Sequence, residues 1–97
     1  DVTELDVVNV RVYPNVESAI IEWELSLPAD AQATVTSAAG KGVTVRSSTG
    51  ESIRHTVEVR GLTPDEPYTY LIEANFRGRA AARETGVFRS LVMPPGR

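Results

Sequence analysis

The chain of 97 residues has no cysteine and a single histidine. The missing thiols exclude disulfides, thiolate metal sites and cysteine nucleophiles together. They leave the compartment open, because a secreted domain with an adequate core does without disulfides. One histidine and no cysteine cannot assemble a zinc site. No apolar run approaches the roughly 20 residues that cross a bilayer, so no membrane insertion is expected. Asp1, Glu4 and Asp6 stand where the basic start of a signal peptide would be. No segment carries a sustained helical stripe. What remains is enough for one domain and too little for two. A domain this small buries only about two thirds of its unfolded surface, so its core must be continuous.

Net charge is −3 at pH 7 and unevenly spread. Residues 1–30 carry seven acids against one arginine, and residues 76–97 carry five arginines against one glutamate. The two ends can offset each other in the fold. Nothing in this pattern makes a nucleic-acid binder. Both ends read as cut from a longer chain. Residues 1–92 are expected to form the domain, and Met93-Pro94-Pro95-Gly96-Arg97 the start of a proline-rich linker.

The period that is present is two. In Ser18–Leu27, Ala19, Ile21, Trp23 and Leu25 share one face, and Glu22, Glu24 and Ser26 the other. His55–Val59 repeats this with Val57 and Val59. Tyr68–Phe76 aligns Tyr68, Tyr70, Ile72, Ala74 and Phe76, with Leu71 as the exception on the opposite side. Leu5–Tyr13, Ala31–Ala38, Gly42–Ser47 and Thr85–Val92 are weaker runs rich in valine and threonine. Turn signals separate them at Pro14-Asn15, Pro28-Ala29-Asp30, Gly40-Lys41-Gly42, Thr49-Gly50, Gly61–Pro67 and Gly78. About seven short strands with polar turns imply an all-β sandwich of two sheets.

The stretch Gly61-Leu62-Thr63-Pro64-Asp65-Glu66-Pro67-Tyr68 is the most informative. Gly61 permits a backbone angle that other residues avoid. Leu62 tucks under the turn, Pro64 presets φ, and Asp65 can bond its own backbone. Tyr68 then puts its ring into the core while its hydroxyl reaches back to the crossing loop, the tyrosine corner of Greek-key sandwiches.

Trp23 on the second strand, followed by Gly61, Leu62, Pro64, Tyr68 and Ala74 in a Gly-Leu-x-Pro-x-x-x-Tyr-x-x-x-x-x-Ala pattern, resembles a fibronectin type III domain. Asn75 and Gly78 also resemble the end of that family's F strand and the start of its FG loop. The resemblance runs over about residues 5–92 and departs in Ala31–Val35, where the family commonly has a tyrosine. Arg77-Gly78-Arg79 is not the integrin-binding tripeptide Arg-Gly-Asp. The resemblance implies an immunoglobulin-like, seven-stranded Greek-key sandwich with strands A, B and E in one sheet and C, C′, F and G in the other. On that layout Trp23 and Tyr70 are core neighbours, and Trp23, Ile21, Leu62, Tyr68, Tyr70, Ile72 and Ala74 form the structural core.

Chemistry-bearing groups are sparse. His55 has Glu51 and Ser52 before it, but sequence order alone makes no triad, and a partly exposed structural histidine is the ordinary reading at a strand start. Glu22 and Glu24 share an exposed strand face, where they suit cross-strand pairing with Arg54 or Arg60 more than glycosidase work. Asp30, Asp65 and Glu66 lack the spacing of a calcium loop. No catalytic residue, cofactor or metal is therefore assigned. Of six aromatic residues, parity sends four inward and leaves Tyr13 and Phe88, too few for a sugar-binding platform. Arg77, Arg79 and Arg83, across the expected F–G connection, are the candidate partner contact, because guanidinium forks suit carboxylate, sulfate and phosphate. The partners expected are neighbouring domains of the parent chain or an anionic protein or polysaccharide surface. The resemblance implies a non-catalytic spacer or interaction module of an extracellular or cell-surface protein, with an accessory polysaccharide-binding module of a glycoside hydrolase as the alternative.

Overall fold

The structure is a computed structural model describing residues 5–76 and 79–95; of residues 76 and 79–81 it describes the backbone alone. Among the described residues six strands follow one another: β1 (Val7–Pro14), β2 (Ser18–Ser37), β3 (Gly42–Arg46), β4 (Ser52–Arg60), β5 (Pro67–Phe76) and β6 (Arg79–Arg89). All pairings are antiparallel. β1 and β4 flank the first half of β2 in one sheet. β3 and β5 flank its second half in the other, and β6 pairs with β5. The order β1-β2-β4 and β3-β2-β5-β6 is the A-B-E and C′-C-F-G arrangement of the all-β sandwich.

One expectation from sequence needs correcting. Pro28-Ala29-Asp30 is not a turn: Ser18–Leu27 and Ala31–Ala38 are two parts of one extended segment, β2, which ends at Ser37 after 20 residues. Pro28 does not break it, because the ladder to β4 is interrupted between Glu24 and Ala29 and the ladder to β5 starts only at Asp30. A residue without an N–H is tolerated where no partner asks for one. The strand changes sheets there without reversing its face. Ala19, Ile21, Trp23 and Leu25, then Ala29, Ala31, Ala33 and Val35, are all buried.

The core joins these residues to Val57 and Val59 of β4, Leu62 of the following crossover, and Tyr68, Ile72 and Ala74 of β5. β3 pairs with β2 from Gln32–Arg46 to Thr36–Gly42. β1 carries an irregularity between Val8 and Arg11, with Asn9 at φ +54°. Asparagine tolerates that conformation, and such bulges twist an edge strand away from unwanted pairing.

Candidate functional site

Two places bring polar groups together against the core. The first is the crossover from β4 to β5. Gly61 sits at φ +82°, where a side chain would be strained, and turns the chain off β4. Leu62 is buried and its N–H donates to Glu17 O. The Tyr68 ring is buried, stacked on Phe88 with centroids 5.6 Å apart, and its Oη accepts the Thr63 N–H at 2.7 Å. Phe88, left out of the core by strand parity, is thus taken up by this stack rather than offered to solvent.

The chain beyond β6 is bound to the same end. Ser90 is buried; its Oγ donates to Thr63 O at 2.6 Å and accepts the Glu66 N–H at 2.9 Å. Leu91 N–H donates to Asn15 O and Leu91 O accepts Asp65 N–H. Asp65, at φ +54°, is held by Arg89, whose Nε lies 2.8 Å from its carboxylate. These bonds tie the β1–β2 turn, the β4–β5 crossover and the exit of β6 into one unit.

The second place is His55. Sequence position suggested a partly exposed side chain, but it is 1% exposed and stacked on Trp23, with ring centroids 5.5 Å apart and planes 14° from parallel. The ring stacked on Trp23 is thus His55; Tyr70, expected in the core beside Trp23, is only partly buried and packs against the core. Nε2 faces only carbonyl oxygens, Ser52 O at 2.7 Å and Ala29 O at 2.8 Å, so it carries the proton. Nδ1 lies 2.7 Å from Ser47 Oγ and 3.3 Å from Thr49 Oγ1. Every polar atom of the ring is committed to structure, with no carboxylate among these partners and the Ser47 hydroxyl itself buried. The arrangement fastens β4 to the sheet crossing of β2. Trp23 Nε1, by contrast, is buried with no hydrogen-bond partner among the described residues.

Tyr70 lies over β6 opposite Gly86. A Cβ at Gly86 would come within 2.8 Å of Tyr70 Cε2 and closer still to its hydroxyl, so glycine makes room for the ring. Burial, with the Glu84 carboxylate adding to it, pushes the Tyr70 hydroxyl above the usual phenol range.

The charged residues proposed from sequence are placed as follows. Glu22 pairs with Arg11 and Glu24 with Arg54, both at 3.6 Å. Arg60 pairs with Glu58. Asp30 pairs with Arg46 at 3.0 Å, at the opposite end of the sheet from Asp65. Among the described residues no three acidic or histidine side chains converge as metal ligands would. Arg83 contacts Glu73 at 3.7 Å across the β5–β6 ladder. Arg77 lies outside the described residues, as does the side chain of Arg79. What sequence reasoning missed is His55: its signal was its inward parity with Val57 and Val59, outweighed by the polarity of the residue.

No protein-family model matches the chain, and no curated protein matches it by sequence. Solved structures do match its fold. The FN5 domain of Drosophila Lar is 18% identical, with 89% of this chain and 95% of that domain covered and a TM-score of 0.70. A fibronectin type III domain derived from human KIAA0970 protein is 14% identical, covering 93% of this chain and 76% of that one, with a TM-score of 0.66. Chitinase ChiW from Paenibacillus, a cell-surface-expressed multi-modular enzyme, is 15% identical over 92% of this chain but only 9% of its own, at a TM-score of 0.68. The chain therefore has the fibronectin type III fold.

Proposed function

We propose that this domain is a non-catalytic spacer or protein-interaction module of a larger secreted or cell-surface protein. The observation that carries the reading is where the described chain enters and leaves. β1 starts at one end of its sheet, with Val7 opposite Leu25. The segment after β6 leaves at the other, with Leu91 bonded to Asn15. The exit is held by the bonds of Ser90, Leu91 and Arg89, and Pro94-Pro95 continues it into a stiff linker. A module with ends at opposite poles and an anchored exit sets the distance between its neighbours. Arg77 and Arg79, which follow β5 in the sequence, are the candidate contact for an anionic neighbour.

The resemblance to one small part of a multi-modular chitinase supports the second reading, an accessory polysaccharide binder. Phe88 is consumed by its stack on Tyr68, which leaves Tyr13, 49% exposed, as the aromatic that reading would use.

Fluorophores placed before Leu5 and after Met93 test the spacer role. A narrow end-to-end distance, unchanged by salt, is expected; a distribution as broad as that of a flexible linker of equal length would rule the role out. Retention on insoluble chitin that disappears with Tyr13→Ala would favour the second reading instead.

A further inference from the structure

The sandwich is not closed on the side where β3 faces the β4–β5 crossover. A crevice of about 180 Å³ opens there, walled by Val35, Val43, Leu62 and Tyr68, with Gly61 and Lys41 also lining it. Its volume is comparable to the engineered apolar cavities of about 150 Å³ that hold a benzene molecule. Three features set it apart from a packing gap. Val43 is opposite buried Val35 in the β2–β3 ladder and so shares its inward face, yet it is 44% exposed. Gly61 contributes no side chain, and a Cβ there would meet nothing within 4 Å, so the crossover leaves the opening clear. Finally, Lys41 stands beside the opening with its backbone held: its N–H donates to Ser37 Oγ and its carbonyl accepts the Ser37 N–H.

Lys41 is also unusual in charge. Arg11, Arg46, Arg54, Arg60, Arg83 and Arg89 each contact a carboxylate, whereas Lys41 is the one cation among the described side chains that does not. An apolar opening the size of one side chain, lined in part by a lysine that no carboxylate among the described residues pairs, defines its own complement. We propose that this crevice is a docking site for an acidic partner segment. One branched aliphatic side chain of the segment enters between Val43 and Leu62, and the carboxylate of an adjacent residue pairs with Lys41. The site lies at the Tyr68 end of β5 and goes beyond the interaction reading above without depending on the arginines named there.

Titrating the isotope-labelled domain with three capped dipeptides tests this by amide chemical shifts. Acetyl-aspartyl-leucine amide is expected to shift Lys41, Val43, Leu62 and Thr63 with a dissociation constant on the order of millimolar. Acetyl-lysyl-leucine amide and acetyl-aspartyl-alanine amide should each bind about tenfold more weakly, since one loses the charge and the other the buried methyls. Lys41→Glu, an exposed change whose folding circular dichroism checks, should reverse the preference between the two leucine probes. The double variant Arg77→Ala, Arg79→Ala should leave all three titrations unchanged, which separates this site from the arginine contact. Equal affinity for the three probes, shifts confined to another surface, or no shifts at about 20 mM probe would each overturn the proposal.

Discussion

The two parts of β2 do the same job with opposite materials. From Ala19 to Leu25 its inward side chains grow large, with Ile21, Trp23 and Leu25 buried, and on its outward face, beside exposed Ile20, Glu22 and Glu24 pair with Arg11 of β1 and Arg54 of β4. From Ala29 to Val35 its inward side chains shrink to Ala29, Ala31 and Ala33 before Val35. Its outward groups there are mostly amide and hydroxyl: Gln32 bonds Glu73, and Thr34 bonds Thr44. The difference follows from shared volume. Interiors pack at near-crystalline density, so an indole stacked on an imidazole leaves little room for large side chains elsewhere in the same core. The alanines are where the second sheet accommodates the bulk of the first.

The sharpest way to break this complementarity is Trp23→Ala. It removes the large member and unstacks His55, and should destabilise by about 3–5 kcal/mol, read from the denaturant midpoint at unchanged slope. An effect under about 1 kcal/mol would mean that the first half of β2 does not dominate the core. The reverse test adds bulk to the small half. Ala33→Leu should destabilise by about 1–3 kcal/mol through overpacking, since Ala33 is fully buried beside Ile72. A neutral or stabilising result would show that the alanines leave a void.

Smaller effects probe the second sheet alone. Tyr68→Phe keeps the ring and its stack on Phe88 but removes the acceptor of the Thr63 N–H. Because Thr63 is exposed, water can replace the lost partner, and the expected loss is about 1 kcal/mol or less. A loss above about 3 kcal/mol would mean that the donor is sealed from solvent. The smallest effect concerns alkaline pH. The Tyr70 phenol ionises at higher pH folded than unfolded, so it favours folding while neutral. That stability is complete below the ordinary phenol pKa of about 10 and is lost as pH rises through the folded-state value. Wild-type stability should therefore fall more steeply than that of Tyr70→Phe as pH rises from about 10 through the folded-state value; parallel profiles would exclude the contribution.

Much of this was legible in the chain and some was not. The inward faces of β2, β4 and β5 follow from alternation alone, and the Gly61–Tyr68 crossover from the backbone demands of glycine and proline. Pro28 misled because a proline two residues before an aspartate signals a turn locally. Whether a missing N–H ends a strand depends on whether a neighbouring strand needs that donor, and here none does. The candidate contact was legible only as composition: Arg83 turns out to pair with Glu73, and the Lys41 crevice carries no motif, since its walls come from β2, β3, the β4–β5 crossover and β5.

What the sequence determined by itself was local: which segments extend, which side chains face inward, and where the chain must turn. Those properties depend on neighbours two to four residues away. Only the tertiary structure decided that β2 serves both sheets, that His55 belongs under Trp23, and that Lys41 has no counter-ion among the described residues. Each of these turns on groups distant in the chain. The imidazole is satisfied by Ala29, Ser47 and Ser52 together, and only the assembled sandwich brings those three to one ring.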